Sequence, residues 1–261
     1  MARSRKAVKA SKTSSTSRRG ASARRKHRSG FGWLFTGLAW LIGAILTAVL
    51  LLQFWYFAHV LWWRDHNPES TAFMREQLAL LRKKDPAARL QQTWVPYAQI
   101  DSSLKKAVIA AEDANFTEHD GVDWDAIERA YDQNLNKGRI VRGGSTITMQ
   151  LAKNLFLSGE RSYFRKAQEL VITYMLEWLL DKDRILEIYL NVAEWGVGVF
   201  GCEAAARHYF SVGAARLAPP QAARLAAMLP RPRFYDANRG SAALSRRASM
   251  IQRGMNAVDT P

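Results

Sequence analysis

One cysteine, Cys202, occurs in 261 residues. That excludes an internal disulfide and a cysteine metal cluster, and it suits an oxidising compartment. Acidic residues are missing from residues 1–30, which hold 11 Lys/Arg from Arg3 through Arg28. The remaining chain carries 27 basic against 23 acidic residues, so the net charge of +15 belongs mainly to this tail. Rich in Ser, Ala and Arg, residues 1–30 cannot bury a core and are expected to be disordered. A nucleic-acid arm is one reading of such a run, but its place directly before an apolar segment favours a cytoplasmic retention signal. Attraction to anionic lipid is the simplest account of its charge, and no nucleic-acid partner is expected.

Charge of either sign then disappears, because Phe31 to Trp63 contains no Asp, Glu, Lys or Arg. A bilayer span needs about 20 such residues, so one transmembrane helix fits and is placed at 34–57. Trp33 stands near one end, while Phe54, Trp55, Tyr56, Trp62 and Trp63 crowd the other, as interfacial aromatics do. The run is far longer than the roughly 7–15 apolar residues of a cleaved signal peptide, so it reads as an uncleaved anchor. Positive charge precedes it and a mixed set follows (Arg64, Asp65, Glu69, Arg75, Glu76). The N-terminus is therefore expected to stay in the cytoplasm, with everything beyond Trp63 facing outward.

Alternating strand patterns and internal repeats are also lacking. Asn67-Pro68-Glu69-Ser70 breaks the helix, and an amphipathic run with Phe73, Leu78 and Leu81 continues to Pro86, which reads as a helical stalk over 64–93. Trp94-Val95-Pro96-Tyr97 is extended, since residues before proline avoid the helical region. Beyond it, apolar residues recur at helical spacing: Leu104, Ala107, Val108 and Ala111, then Ile147, Leu151 and Leu155, then Leu170, Tyr174 and Leu180. The expected fold is mostly α, a helical domain over 94–255.

Four clusters in this domain carry chemistry. Glu112-Asp113 ends a helix, where an acidic pair opposes the dipole, and Phe116, His119 and Gly121 follow. Gly143-Gly144-Ser145-Thr146 leads into Ile147-Thr148-Met149-Gln150-Leu151-Ala152-Lys153-Asn154. Two glycines permit close backbone approach, and a hydroxyl-capped helix start favours anions, so this turn reads as an anion cradle or as a plain cap. Arg165 and Lys166 precede Glu169 by four and three residues and share its helix face. Lys182-Asp183-Arg184-Ile185-Leu186-Glu187-Ile188-Tyr189-Leu190-Asn191 is the fourth. Taken singly, the last two also read as ordinary surface ion pairs.

In order and spacing these clusters resemble the motifs of the peptidoglycan glycosyltransferase family, shared by class A penicillin-binding proteins and monofunctional biosynthetic enzymes. Glu112-Asp113-x-x-Phe116-x-x-His119-x-Gly121 looks like the first motif and Gly143 to Asn154 the second. Arg165-Lys166-x-x-Glu169 resembles the third, and Lys182 to Asn191 the fourth. Arg246-Arg247-Ala248-Ser249 keeps the paired arginines of a fifth motif, but Met250-Ile251 replaces its usual Val-Leu, so neither arginine receives a role. Ser102-x-x-Lys105 and Ser103-x-x-Lys106 match a transpeptidase nucleophile pattern by chance, since neither Ser-x-Asn nor Lys-Thr-Gly follows. The resemblance thus points to the monofunctional branch, without crosslinking.

What the resemblance implies is a lysozyme-like helical domain that polymerises glycan strands from lipid II at the inner membrane, catalytic domain in the periplasm. The 4-hydroxyl of an acceptor sugar attacks C1 of the donor, and undecaprenyl pyrophosphate leaves with inversion. Such an attack needs a base opposite the leaving group, expected to be Glu112. An anionic leaving group needs positive charge, expected from Lys153, Arg165 and Lys166. Glu169, the second catalytic residue, is expected to orient those cations or hold a divalent ion, Mg or Mn, beside the pyrophosphate. Asp113, Ser145, Thr146, Gln150 and Asn154 join the substrate-binding set, and His119 is read as structural. Leu155-Phe156-Leu157 with Tyr163-Phe164 serves either as a membrane-dipping surface or as core. Expected partners are lipid II, the growing strand, the inner membrane and cell-division or wall-synthesis proteins. A lysozyme-type lytic enzyme and a non-catalytic glycan-binding scaffold are the rival readings.

Overall fold

An unbroken helix α1 (Gly30–Trp62) opens the computed structural model, which describes residues 30–138, 143–157 and 162–261, with side chains from Trp33 onward. The basic tail, expected to be disordered, lies outside the described residues. Trp33–Trp62 contains an 18-residue window with a mean hydropathy of 2.3 and is long and apolar enough to cross a membrane. The chain divides into two units at Val49/Leu50. In the first, the described side chains of α1 are all exposed.

The second unit is helical. Its elements are α2 (Ala72–Arg82), α3 (Ser102–Glu112), α4 (Trp124–Lys137), α5 (Ile147–Phe156), α6 (Tyr163–Leu179), α7 (Lys182–Val192), α8 (Cys202–Phe210), α9 (Pro219–Met228), α10 (Pro232–Ala237) and α11 (Ala242–Gly254). Side-chain oxygens open most of the early ones. Thr71, Asp101, Asp123, Thr146 and Ser162 each accept a backbone N–H of the following first turn. The core runs through α7, buried at Ile185, Leu186 and every position from Ile188 to Val192. Helix α3 packs on α9, whose small buried residues Ala222, Ala223, Ala226 and Ala227 let neighbouring backbones approach, and α11 packs on the same helix.

A two-stranded antiparallel hairpin, β1 (Glu194–Gly196) with β2 (Val199–Phe200), interrupts the helices. Every residue of these strands is buried, so no alternation marked them in the sequence. The segment 64–93, expected as a helical stalk or linker, makes contact with this hairpin. Met74 and Gln77 of α2 are buried, and the Phe73 ring meets Phe200 at 6.2 Å. The Gln91 N–H donates to Gly198 O at 2.8 Å, and the Phe200 N–H donates to Gln91 O at 2.9 Å. Backbone groups of a short buried hairpin need partners, and residue 91 supplies them, so this stretch belongs to the globule.

From Leu50 onward, α1 is part of the same unit. Gln53 and Gln168 exchange both amide hydrogen bonds, at 2.9 and 3.0 Å. The Phe156 ring lies among Trp55, Tyr56 and Trp63 at 5.8, 4.9 and 5.0 Å. Arg184 donates to the carbonyls of Trp63 and His66, closing the C-terminal end of α1. The two readings of the apolar stretch therefore divide: Leu155 and Leu157 are core, whereas Tyr163 and Phe164 are 98% and 75% exposed.

Candidate active site

Glu112 is the last residue of α3, held there because Leu104, Ala107 and Val108 bury the other face of the helix. A carboxylate at a helix C-terminus is opposed by the dipole, so its position depends on partners. Gln150 Nε2 of α5 donates to Glu112 Oε2 at 2.9 Å, and the Tyr189 hydroxyl of α7 donates to Gln150 Oε1 at 3.0 Å, which fixes the amide orientation. Arg247 Nη2 of α11 stands 3.4 Å from Glu112 Oε1. Burial pushes the Glu112 carboxyl above its ordinary value, while the Gln150 bond and the Arg247 and Lys153 charges act the other way. Burial likewise raises the Tyr189 phenol, which stays a donor.

Asp113 faces the other way. Its Oδ2 accepts the Ile147 N–H at the start of α5 at 3.0 Å, and its Oδ1 lies 2.9 Å from His119 Nε2. The Gly121 N–H donates to His119 Nδ1 at 3.1 Å, which assigns the ring proton to Nε2. Thr146 donates to Gly121 O at 2.6 Å while accepting the Met149 N–H at 3.1 Å as the N-cap of α5. Gly121 has φ +87, and a Cβ there would stand 2.7 Å from side-chain atoms of both Thr173 and Glu177. The loop after α3 is thereby stitched to the start of α5 and to α6. Asp113 and Thr146, expected among the substrate-binding residues, have buried side chains engaged in that stitching, and both also line the cavity that opens beside Glu112.

A cavity of about 520 Å³ opens beside Glu112, lined also by Gly143, Gly144, Ser145, Gln150 and Arg129. Gly144 lies against α4, where a Cβ would come within 2.8 Å of Ile127 Cγ1, and Ser145 is exposed. Ser145 and Gln150 share a cavity wall with Glu112. Asn154 is buried and does not line this cavity.

The cations gather on the first turn of α6. Arg165 Nη1 pairs with Glu169 Oε2 at 2.7 Å and Lys166 Nζ with Glu169 Oε1 at 2.5 Å. Lys153 lies within electrostatic reach of this group and of Glu112. Burial pushes its ammonium below the ordinary value; Glu169 pulls it back up, Arg165 and Lys166 push it further down, and Glu112 raises it. Glu169 brings one carboxylate, with both oxygens on cations, and the described residues contain no group of three or more His, Cys, Asp or Glu placed to hold a metal. The described residues therefore do not fit a resident metal at Glu169.

The fourth cluster braces the other three. Lys182 Nζ donates to His119 O at 2.6 Å and pairs with Glu177 at 2.9 Å, and Thr148 of α5 donates to the same Glu177 at 2.5 Å. Asn191 takes the Val95 N–H at 2.8 Å and returns a bond to Val95 O at 2.9 Å. Two groups at the site fell outside the sequence reading of roles: Tyr189, which lay in the fourth motif, and Arg247, whose signal was the arginine pair.

The transglycosylase family model matches residues 79–256. Among curated relatives, the biosynthetic peptidoglycan transglycosylase of Janthinobacterium sp. (strain Marseille) is 61% identical over 224 residues, 86% of this chain and 97% of its own length. The proteins of that name from Herminiimonas arsenicoxydans and Chromobacterium violaceum are 60% and 55% identical, and each is covered to 97% of its length. The match takes in all four clusters that build the site, and on it the chain belongs to the transglycosylase family.

Proposed function

We propose that this protein polymerises peptidoglycan glycan strands from lipid II. Glu112 acts as the base: it takes the proton of the acceptor 4-hydroxyl as the oxygen bonds to C1 of the donor. The electron pair of the broken C1–O bond leaves with undecaprenyl pyrophosphate. Supporting this is the placement of Glu112 on the cavity wall, its Oε2 committed to Gln150 and its Oε1 held, among the described residues, by the long Arg247 contact. The raised carboxyl suits a group that must accept a proton during the reaction.

Lys153, Arg165 and Lys166 stabilise the departing pyrophosphate, and Glu169 holds Arg165 and Lys166 in place. A divalent ion is proposed only as one brought in with the substrate's pyrophosphate, and no step depends on it. Ser145 and Gln150 contact substrate, Asp113 and Thr146 stand on the same cavity wall while holding the start of α5, and Asn154 belongs to the binding set beyond that wall. The lytic reading gives these cations no role, since a neutral glycan releases no anion. The anchor lies in the inner membrane with its N-terminus in the cytoplasm, and Tyr163 and Phe164 rest on the same bilayer that holds the substrate's lipid. Cell-division or wall-synthesis proteins are proposed as further partners, reached in the periplasm.

The test is incubation of the detergent-solubilised protein with labelled lipid-linked disaccharide-pentapeptide beside Glu112→Gln. The expected result is a ladder of polymer with the native protein and a loss of about 10²-fold or more with the variant. Polymer unchanged by the variant refutes Glu112 as base. Lys153→Ala should also cut turnover severely, and a near-normal rate would refute the leaving-group role.

A further inference from the structure

The guanidinium of Arg247 is the closest positive charge to Glu112 among the described residues, and it belongs to the motif that departs from the family pattern. It reaches Glu112 Oε1 at 3.4 Å and Ala111 O at 3.5 Å, so it grips the end of α3 by both side chain and backbone. Its Nε is buried without a partner among the described residues. A buried donor left unpaired is held there by what the rest of the side chain does. Helix α11 supplies the rigidity, since Leu244 and Ile251, three residues before and four after, are buried on the same face.

We infer that Arg247 is a positioning residue for the polymerisation reaction, holding Glu112 ionised and its Oε1 turned to the cavity until the acceptor hydroxyl arrives. This rests on the reading of Glu112 as the base. The long contact matters: at 3.4 Å Arg247 leaves room for a hydroxyl to take the same oxygen, whereas a tight bidentate pair would block it. Among the described residues, Arg129 of α4 and the adjacent Asp123 line the same cavity as Glu112. From α3 comes Asp113, whose charge disfavours ionisation; from α5 come Gln150, which donates to the carboxylate, and the more weakly felt charge of Lys153; from α7 comes Tyr189, bonded to Gln150. Burial opposes the carboxylate, and of these groups Arg247 is the charged one that favours it most. Once the proton has moved to Glu112, the same cation disfavours the protonated form and so promotes its release for the next addition.

The experiment is the pH profile of kcat for full-length protein in detergent with labelled lipid-linked disaccharide-pentapeptide, comparing the native chain with R247Q and R247K, each checked for folding by thermal melt. For R247Q the acidic limb is expected to move up by about one pH unit, a roughly tenfold rate loss on that limb, with rates converging on the native plateau above it. R247K is expected to keep the limb near the native position. An R247Q limb at the native pH, with rates lowered by one factor throughout, overturns the inference. Should R247Q not fold, R247M takes its place: an upward limb supports the proposal and a limb at the native pH overturns it. Glu112→Gln separates the two readings. If it polymerises normally the base assignment itself fails, whereas an inactive Glu112→Gln with an unmoved R247Q limb removes only the role of Arg247.

Discussion

Gln150 and Glu112 share a 2.9 Å hydrogen bond whose donor is oriented from behind by the Tyr189 hydroxyl, 3.0 Å from the other end of the same amide. Three helices thus fix one carboxylate: α3 carries it, α5 holds it, and α7 sets the holder. Tyr189→Phe keeps the packing and removes the last of these links. It should lower stability by about 1–3 kcal/mol, because Gln150 Oε1 loses its donor. It should also lower kcat with KM nearly unchanged, and an unaltered kcat would mean that Gln150 finds its orientation elsewhere.

Asp113 gives a contrasting case. Its carboxylate accepts the first N–H of α5 and braces His119, so Asp113→Ala should destabilise the fold by about 2–3 kcal/mol, the scale of losing a charged acceptor with two buried donors. A thermal melt reads this directly. If the melt is unchanged while KM rises, Asp113 contacts substrate after all.

Gly121→Ala tests the stitching from the backbone side. A positive φ costs an alanine about 1–2 kcal/mol, and the new methyl would meet Thr173 and Glu177 at 2.7 Å, displacing the carboxylate that holds Lys182 and Thr148. Unfolding midpoints should fall, and activity with them. Gly143→Ala, with nothing within 4 Å of the added atom, is the control and should melt like the native protein.

Burial moves Glu112 up and Lys153 down, so the polymerisation rate should show an acidic limb above the ordinary carboxylate range and an alkaline limb below the ordinary lysine range. The effects on stability have opposite signs. Native Glu112 binds its proton more tightly than the unfolded chain does, so stability falls as pH rises from the unfolded to the folded pKa. Native Lys153 binds its proton less tightly, so stability rises with pH between its folded and unfolded values. Glu112→Gln should remove the first change from a melt-versus-pH series and leave the second in place.

The helices and the site's main residues were legible because each used a local signal: hydroxyl and carboxylate caps, a glycine turn, charges three and four residues apart. The hairpin was not, because Glu194-Trp195-Gly196 is buried on both faces and shows no period of two. Segment 64–93 read as a stalk because its tie to the globule is backbone pairing of Gln91 with residues more than 100 positions away, which no local pattern encodes. Arg247 illustrates the same limit. The arginine pair was visible, but that one member reaches Glu112 across 135 positions follows only from the packing of α11 on α9 and α3. The division of labour between Glu112 and Asp113, neighbours in sequence with opposite destinations, likewise comes from the turn that ends α3.

The reciprocal amide pair of Gln53 and Gln168 makes α1 a gauge as well as a tether. Gln53 lies ten residues before Trp63, about 15 Å along a helix, and Gln168 is the neighbour of Glu169. Sliding α1 by one turn would break two amide bonds and move Phe156 out of its ring of aromatics. The stretch of α1 from Gln53 to Trp63 is thus held in register on the globule residue by residue, so that an insertion or deletion within it costs the amide pair or the aromatic ring around Phe156.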